Sequence, residues 1–514
     1  MPRRHRRRDR NMFNLSHQFK CTTKMGRLFP VLCEEVVPSD QFSVKLDAVV
    51  RFAPLLAPLM HEVDVFTHYY FVPNRLVWSD WESFITGGEQ GVSDAIHPYI
   101  TAPDTTGFNN GSLADYFGMR TGVPGYQVSA LPFRAYNLIY NEWFRQQDLQ
   151  DPVDISLESG EDTTTSIAVL QRNWNRDYFT SSLPYPQKGP AVSLPLTGDA
   201  PVLGLGVRDD ASWTSAPRDY NEAGGSIIPS GTSVRLVPFS SDTTEGIALE
   251  EDSNNTGYPL LRADLSGVAA VSINDLRLAF QIQSFLELNA RSGSRYTEFI
   301  LAHFGVRSAD SRLQRPEYLG GGRSPVVFSE VLQTSSTDTT SPQANLAGHG
   351  FSAQRSHKFK RRFTEHGYII GLMSIMPRTN YQQGIDRKFT RFSRFDYLDP
   401  KFVHLGEQGV LNKEIYVQGN STDDELFGYQ ARYQEYRRSH SHVAADFRGT
   451  FDFWHLGRVF EAKPELNSSF LECTPSNRIF ADTEGNEDNL WVQMHHTVRV
   501  LRQLPKVGVP ASLF

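Results

Sequence analysis

Apolar and polar residues alternate with a period of two along two stretches of the chain. The first stretch spans residues 42–50, and the second spans residues 63–71 and ends at Pro73. Successive side chains of a β-strand point to opposite faces, so this alternation predicts two strands that each bury one face. Pro54 and Pro58 break the chain between the two runs and predict a loop there.

Two further strands are predicted in the second half of the chain. Residues 368–376 form a short apolar run that ends at Pro377, and Val498 and Val500 share one face of a last strand before Pro505. Strands near both ends of the chain indicate that the first and last strands pair in one sheet, as in a jelly roll. A parallel α/β fold would need a regular alternation of strands and helices, which this chain lacks. We therefore expect a mainly β, antiparallel fold.

Helices are predicted in the long connections between these strands. Ser79 to Glu82 has the sequence of a capping box, and Gly87 follows as a stop signal. Pro132 stands at a first-turn position and is followed by apolar residues at spacings of three and four. Two more helices are predicted from Ser272 to about residue 289 and at residues 294–304.

A chain of 514 residues exceeds what one compact core needs, so we expect several domains or one domain with large insertions. Residues 195–266 are rich in Gly, Pro, Ser, Thr and Asp and lack helical periodicity. We expect them to form an exposed, variable surface insertion, with a partly disordered loop as the alternative. The chain is thus divided into an arm at 1–20 and a single domain at 21–514 that carries this insertion.

The composition restricts the environment of the protein. The mean hydropathy is −0.40, and the longest apolar stretch is about half as long as a membrane helix, so no membrane insertion is expected. The three cysteines, Cys21, Cys33 and Cys473, cannot form a disulfide framework and lack the spacing of a metal site. We expect synthesis in a reducing cytoplasm, with no cofactor and no bound metal.

The net charge of −7 hides an uneven distribution of charge. Residues 1–10 carry six arginines and one aspartate, and residues 355–395 carry ten Lys or Arg and two acids. Residues 195–266 carry four arginines and eleven acids. This polarity suits a shell with a basic inner wall and an acidic outer surface; three unrelated solvated surfaces are the alternative.

The arginine-rich arm cannot fold alone, because it has few apolar residues and a high charge. Guanidinium groups bind phosphate oxygens, so we interpret the arm as a nucleic-acid contact. A nuclear-import signal and a merely solvated tail are the alternatives. The candidate residues are Arg3, Arg4, Arg6, Arg7, Arg8 and Arg10.

Two internal segments, 355–363 and 387–395, combine positive charges with phenylalanines. Cations beside aromatic rings are typical of surfaces that bind single-stranded nucleic acid. The alternative is that the phenylalanines point into the core while the charges point outward. The candidates for an inner basic wall are Lys358, Lys360, Arg361, Arg362, Arg387, Lys388, Arg391 and Arg394.

The strongest enzymatic alternative is a rolling-circle replication nickase. Such enzymes combine tyrosine nucleophiles with a His-hydrophobic-His metal motif, and this chain has Tyr429 and Tyr433 before His440 and His442. Here the middle residue is Ser441, and the histidines follow the tyrosines, whereas these enzymes place them well before. The adjacent His495 and His496 would point apart in a strand. We therefore expect a protein without a catalytic site.

A carbohydrate-binding jelly roll is a third hypothesis, which is compatible with a structural role. It depends on the acidic insertion, whose aromatic residues could contact sugars on a host surface. The candidates for host attachment are Trp213, Tyr220 and Tyr258.

Several long stretches, in order along most of the chain, resemble one known family, the major capsid proteins of the Microviridae on the gokushovirus side. These are small tailless icosahedral phages with circular single-stranded DNA. The stretches are residues 51–60 (RFAPLLAPLM), 67–81 (THYYFVPNRLVWSDW), 131–145 (LPFRAYNLIYNEWFR), 176–190 (RDYFTSSLPYPQKGP), 295–304 (RYTEFILAHF), 314–322 (QRPEYLGGG) and 366–377 (HGYIIGLMSIMP).

The resemblance implies an eight-stranded antiparallel jelly roll with long inserted loops, and a shell of about sixty identical subunits. It implies that the insertion at 195–266 projects at the threefold axes and serves in host attachment. The implied partners are copies of the chain, the single-stranded DNA genome, a small basic DNA-binding protein, a pilot protein, a scaffolding protein and a host surface receptor. The implied location is the virion, after synthesis in the cytoplasm of a bacterial host.

Overall fold

The computed structural model describes residues 10–88, 93–192, 273–332, 346–482 and 487–506, together with five short strands between 202 and 263. The chain forms two compact units. The first consists of Met1–Lys188 with Glu287–Phe514, and the second of Gly189–Leu286.

The strands are numbered in chain order. The first unit begins with β1 (Asn11–Asn14), β2 (His17–Thr23), β3 (Phe29–Val36), β4 (Gln41–Phe52), β5 (Val63–Pro73), β6 (Tyr99–Thr101) and β7 (Gln127–Ser129). The second unit contains β8 (Val202–Leu203), β9 (Leu205–Asp209), β10 (Ser212–Thr214), β11 (Gly246–Leu249) and β12 (Arg262–Ala263). The first unit continues with β13 (Glu317–Pro325), β14 (Val327–Leu332), β15 (Leu346–Arg362), β16 (Gly367–Pro377), β17 (Asn380–Tyr381), β18 (Glu407–Leu411), β19 (Leu426–Ala431), β20 (Ser441–His442) and β21 (Leu490–Arg502).

The larger sheet of the first unit has six antiparallel strands in the order β1-β21-β4-β15-β14, and β2 also pairs with β21. The first strands therefore pair with the last one, as the sequence pattern predicted. Pairing begins at Asn11, so half of the segment assigned to the arm, residues 11–20, already belongs to this sheet or the turn within it.

The smaller sheet has four antiparallel strands in the order β13-β5-β16-β3. The predicted apolar strand is β16, which is buried along almost its whole length because it is central in this sheet. In β13, Gly321 lies so close to β5 that a side chain would contact the Thr67 backbone oxygen. The glycines at 320–322 thus permit a bulged strand to approach its neighbour, and they do not form a phosphate-binding loop.

The main hydrophobic core lies between these two sheets. Strand β4 contributes the predicted apolar face, with Phe42, Val44, Leu46, Ala48 and Val50 all buried. Burial of such side chains contributes about 1.5–3 kcal/mol each, which makes this alternation the main determinant of the sheet's orientation. The other sheet contributes Val63, Val65, Tyr69, Phe71, Ile369, Met373 and Ile375.

A second core lies on the other side of the four-stranded sheet, where Tyr70, Val72, Ile370 and Leu372 pack against helical segments. Among these segments is the helix predicted near Pro132. The helices are α1 (Trp81–Thr86), α2 (Leu113–Tyr116), α3 (Leu131–Ile139, continued by a π-turn at Tyr140–Phe144), α4 (Ile273–Ser292), α5 (Tyr296–Phe304) and α6 (Ser468–Leu471).

The capping box predicted at Ser79 is wrong, although a helix does begin there. Asp80 is the N-cap of α1, and its side chain makes no capping hydrogen bond. The hydroxyl of Ser79 instead donates to the Leu157 carbonyl oxygen at 3.0 Å, because this loop packs beside the end of the helix.

Short 3-10 helices connect the remaining elements. They are Asn74–Leu76, Arg387–Phe389, Arg394–Asp396, Pro400–Phe402, Asn412–Glu414, Ser421–Asp424, Gln434–Tyr436, Ala445–Arg448 and Asp452–Trp454. A third, smaller core, centred on Tyr178, Phe179 and Tyr381, packs within this loop-rich region.

Within the second unit, β9 pairs with β10 and β11, and β8 pairs with β12. This unit contains the predicted insertion at 195–266. The backbone of Trp213 lies in β10, but its side chain and the residues Tyr220 and Tyr258 lie outside the described part of the chain. The role of this segment stays a prediction.

Candidate nucleic-acid interface

Strand β15 divides the first basic segment between two faces. Phe359 is buried in the core, and Lys358, Lys360 and Arg362 are exposed on the opposite face. Phe363, just after the strand, is also buried. For this segment the alternative interpretation was therefore correct: its phenylalanines stabilise the core, and its charges point outward. The side chain of Arg355 is outside the described residues.

Neighbouring strands extend this positive surface. In the register of the sheet, Lys358 lies opposite Lys45 of β4, and Lys360 lies opposite Ser43. On the other side of Ser43 lies Arg499 of β21, so Lys360 and Arg499 are separated by two strand spacings, about 10 Å. We call Lys45, Lys358, Lys360, Arg362 and Arg499 the basic face.

Few negative charges oppose the basic face. Asp47 is the acidic residue among the outward positions of β4, and Lys45 Nζ lies 3.0 Å from its carboxylate. Lys45 and Arg499 were missed by sequence reasoning, because they are far apart in the chain and belong to no local charge cluster. The alternation of β4 alone could have assigned Lys45 to the outward side.

Arg361 differs from its neighbours in β15. It lies opposite Phe42, on the side of the sheet that faces the core, and its guanidinium reaches Glu317 of β13 at 3.3 Å. This partly exposed pair links β15 of the larger sheet to β13 of the smaller one, so Arg361 is partly neutralised within the chain.

The second basic segment is not a strand, and three of its cations already have a carboxylate partner, Lys388 through Asp386 at 2.7 Å and two arginines through glutamates. Arg387 donates to the Gly409 carbonyl at 2.7 Å and lies 3.2 Å from the buried carboxylate of Glu414. Burial raises the pKa of Glu414, and the positive charge of Arg387 opposes that shift. Arg391 pairs with Glu435 at 3.1 Å and stacks on the ring of Tyr436. Both arginines hold this loop region together.

The remaining side chains of the second segment are exposed. Lys388 lies over the ring of Phe389, and Arg394 lies over the ring of Phe395. The exposed fractions are 69% for Phe389, 89% for Phe392 and 52% for Phe395. Here the phenylalanines are available to partners, in contrast to those of β15, because 3-10 turns and loops present them away from the core.

The arm enters the structure beside the basic face. Arg10 precedes β1 and its guanidinium donates to the Ser39 hydroxyl, whereas Arg3, Arg4, Arg6, Arg7 and Arg8 lie outside the described residues. Strand β1 lies at an edge of the sheet that carries the basic face, where it pairs with β21. The arm therefore ends at this edge.

The tyrosines and histidines of the nickase alternative do not form a catalytic arrangement. Tyr433 is only 3% exposed, and its hydroxyl donates to the Tyr397 carbonyl at 3.1 Å. It also accepts a hydrogen bond from the Asp399 amide. Tyr429 belongs to β19, where it pairs with Gly409 of β18. The nickase alternative is not supported.

The two histidines of this motif contact an aspartate that the sequence analysis did not connect with them. Nε2 of His440 lies 2.7 Å from Asp386 Oδ1, and Nε2 of His442 lies 3.3 Å from Asp386 Oδ2. Burial lowers the pKa of His440, and the charge of Asp386 opposes that shift. Burial acts to raise the pKa of Asp386, but the hydrogen bond from Lys388 and the two histidines lower it on balance. His495 and His496 do lie on opposite faces of β21, as predicted.

A cavity of ≈ 410 Å³ lies beside β5, on the side of the four-stranded sheet that faces away from the main core. Four arginines and several aromatic rings line it, and no Asp or Glu is among its described lining residues. Burial lowers the pKa of Arg172 to about 10, and its guanidinium stacks on Phe66 at 4.3 Å. The cavity can therefore accept an anionic group, and sequence reasoning missed it. The arginines are Arg145, Arg172, Arg176 and Arg295.

Two packed antiparallel sheets, long loops and a solvent-facing basic surface define a structural protein with a broad surface for binding partners. Residues 4–512 match the family model described as "Capsid protein (F protein)", and the chain belongs to this family. It is a capsid protein, a component of the virion, and proteins of this kind assemble into oligomeric shells. The resemblance found in the sequence is confirmed.

Three curated relatives are each called "Capsid protein VP1". The chain is 40% identical to that of Bdellovibrio phage phiMH2K over 522 residues, covering 98% of this chain and 95% of the relative. It is 38% identical to that of Chlamydia phage 1 over 571 residues, with the same coverage of 98% and 95%. It is 35% identical to that of Spiroplasma virus 4 over 487 residues, covering 90% and 87%.

No helix in the described part of the chain has the length and the apolar composition needed to span a bilayer.

Proposed function

We propose that this capsid protein encloses circular single-stranded DNA in a small icosahedral shell of about sixty subunits, and that the basic face lies against the DNA. The observation that carries the proposal is the clustering of five outward cations on three adjacent strands of one sheet. A flat array of this kind can follow a phosphate backbone without reading its sequence, because each cation neutralises one phosphate and releases counterions.

The fold of the subunit is proposed to be an eight-stranded jelly roll within residues 21–514. The support is the strand order: β2-β21-β4-β15 in one sheet and β3-β16-β5-β13 in the other. Along the chain these eight strands pass between the two sheets in the way a double Greek key requires. Strand β2 begins at His17, slightly before the predicted boundary.

The proposed DNA contacts are the arm and the outward residues of β15. The arm contributes Arg3, Arg4, Arg6, Arg7, Arg8 and Arg10, and the basic face contributes Lys358, Lys360 and Arg362, to which we add Lys45 and Arg499. Arg361, Lys388 and Arg394 are proposed as peripheral contacts. Arg387 and Arg391 are left out, because they are mostly buried and paired with Glu414 and Glu435. Lys388 and Arg361 also have acidic partners, but their side chains stay more than half exposed.

The test removes charge from the basic face without touching the core. The variant Lys358→Gln, Lys360→Gln, Arg362→Gln is compared with a control that loses the same charge elsewhere, Arg307→Gln, Lys401→Gln, Arg437→Gln. All six side chains are exposed. The affinity of the purified chain for single-stranded DNA is measured over a range of salt concentrations.

The affinity decreases with salt, and we expect this dependence to become shallower in the first variant. The magnitude of the slope of log affinity against log salt should decrease by about two, because each of the three lost phosphate contacts contributes about 0.7. The control should keep the slope of the wild type. A second control, Arg176→Gln, tests whether DNA binds at the arginine-lined cavity instead. Equal slopes for the first variant and the wild type would refute the proposed interface.

The remaining partners are proposed from the family resemblance. They are a small basic DNA-binding protein, a pilot protein, a scaffolding protein and a host receptor, which could be a carbohydrate. The insertion at 195–266 is proposed to project at the threefold axes, with Trp213, Tyr220 and Tyr258 as attachment candidates. Particles that lack residues 200–260 should assemble but lose adsorption to host cells; unchanged adsorption would reject this role.

A further inference from the structure

The contact between Asp386, His440 and His442 results from a small parallel strand pair. In that pair, Asn380 of β17 lies opposite Ser441 of β20, and Tyr381 lies opposite His442. His440 immediately precedes β20, and His442 lies within it; both rings reach Asp386, so they point to the same side. The segment that follows β17 then brings Asp386 to these two rings.

The distances place three ligand atoms around one point. One nitrogen from each histidine and one carboxylate oxygen of Asp386 all lie within 4.8 Å of one another. The ring centroids of His440 and His442 are also 4.8 Å apart, and the rings are tilted by 59° rather than stacked. Two imidazoles and one carboxylate at such a spacing are a common ligand set for divalent transition metals.

Ordinary hydrogen bonding does not account for this arrangement. Oδ1 of Asp386 is buried and has no hydrogen-bond partner among the described residues, even though His440 Nε2 is 2.7 Å away. The close approach therefore lacks the direction of a hydrogen bond. Buried polar atoms are almost always satisfied, so this oxygen is suited to bind a cation instead of a hydrogen-bond donor.

Space for a bound ion exists beside the cluster. Asp386 and His440 line a cavity of ≈ 270 Å³, whose charged lining also includes Glu414, Glu435, Arg387, Lys388, Arg391 and Arg438. Glu414 and Glu435 pair with Arg387 and Arg391, so these two cations are compensated within the cavity. His442 is half-exposed, so an ion could enter from solvent and keep a water molecule in a fourth position.

We propose that Asp386, His440 and His442 bind a divalent transition-metal ion, with Zn²⁺ as the expected ion. Imidazole nitrogens favour zinc over the hard cations Mg²⁺ and Ca²⁺, which prefer oxygen ligands. The ion would connect residues near β17 to those near β20, in addition to their two-residue strand pair and the contact between the rings of Tyr381 and His440. This inference is independent of the proposed DNA contact, and it revises the expectation that the chain binds no metal.

One side chain opposes metal binding in a way that can be tested. Nζ of Lys388 lies 2.7 Å from Asp386 Oδ2 and neutralises part of the carboxylate charge. Lys388 is exposed, so it can move aside, but its charge repels a cation. Replacing it should therefore strengthen metal binding, the opposite of what replacing a ligand does.

The experiment is a calorimetric titration: Zn²⁺ is added to the purified full-length chain, from which a chelator has first removed bound metal. We expect one ion per chain, a rise in Tm with zinc, and an affinity at least about tenfold lower for His440→Ala, His442→Ala and Asp386→Asn. Lys388→Met should bind more tightly than the wild type. The control His495→Ala removes an exposed histidine from β21 and should leave the affinity unchanged.

A second measurement protects the test against misfolded variants. Co²⁺ in place of Zn²⁺ should give an intense visible absorption with the wild type. The side chain of His442 is half-exposed, so His442→Ala should keep the far-UV circular dichroism of the wild type while losing this absorption. The proposal is overturned if the wild type does not bind zinc, or if His440→Ala and His442→Ala bind it as tightly as His495→Ala does.

Discussion

The ring of Phe359 lies 5.1 Å from the ring of Tyr69, and this contact joins the two sheets of the capsid protein through the core. Phe359 belongs to β15 of the six-stranded sheet and Tyr69 to β5 of the four-stranded sheet. Because neighbouring residues of a strand alternate between faces, anchoring Phe359 in the core directs Lys358 and Lys360 outward. One aromatic contact thus sets the direction of the basic face.

Replacing Phe359 tests this anchor. Phe359→Ala should lower the free energy of unfolding by about 3–5 kcal/mol, because it leaves a cavity among buried side chains. Lys360→Ala, one residue away on the exposed face, should change it by less than about 0.5 kcal/mol. Urea unfolding followed by fluorescence measures both, and equal effects would contradict the assigned orientation of β15.

A buried ion pair stabilises the layer outside the four-stranded sheet. Arg134 Nε lies 2.7 Å from Asp162 Oδ2, and the same guanidinium donates to the carbonyl oxygens of Val77 and Glu158. Asp162→Ala should destabilise the protein by about 3–5 kcal/mol, since it leaves a buried charge without its partner. Glu317→Ala, which removes the partner of exposed Arg361, should cost less than about 1 kcal/mol. Denaturant unfolding of both variants gives the comparison.

Stability should decrease in mild acid because of His496. Burial, assisted by the charge of His17, lowers the pKa of His496 to about 4, whereas in the unfolded chain it is about 6.5. Between these values the unfolded state binds more protons, so the contribution of His496 to stability is complete above about pH 6.5 and decreases as the pH falls toward 4.

The effect can be isolated with one variant. Between about pH 7 and pH 5 the wild type should lose about 2 kcal/mol more than His496→Leu, which cannot titrate. His495→Ala, on the exposed face of the same strand, serves as the control. If His496→Leu and the wild type lose stability equally, another group is responsible.

The arm is expected to hold DNA without being needed for assembly. Removing residues 1–10 takes away six arginines but leaves β1 and its pairing with β21. Shells should therefore form normally, and their DNA should be released at lower salt than from wild-type shells. Electron microscopy and the DNA content after salt washes provide the measurement. Unchanged DNA retention would show that the arm has no role in genome binding.

The sequence alone determined the elements whose signal is local. The alternation at 42–50 assigned the correct buried face to β4, because that strand packs on the core with one side only. The strand at 63–71 was also predicted, but the expectation of one buried face was wrong for β5, because β5 lies between two cores and is buried on both sides. Helices near Trp81, Pro132, Ser272 and Tyr296 were also predicted from local signals. The long stretches from 51 to 377 indicated the capsid family without any tertiary information.

Only the tertiary structure decided which charges and aromatic rings are free. Phe359 and Phe392 occur in similar basic segments, but one is buried in a sheet and the other is 89% exposed on a loop. Arg387 and Lys358 look equivalent in the sequence, but Glu414 neutralises Arg387. Glu414 is 27 residues away along the chain, so no local sequence pattern predicts this pair. His440 and His442 were recognised as a pair, but their contact with Asp386 depends on the pairing of β17 with β20. The periodicity of the sequence determines which residues share a face of one helix or strand. The partner of a side chain is determined by long-range packing instead. Since the function of a charged residue depends on its partner, only the tertiary structure could assign it.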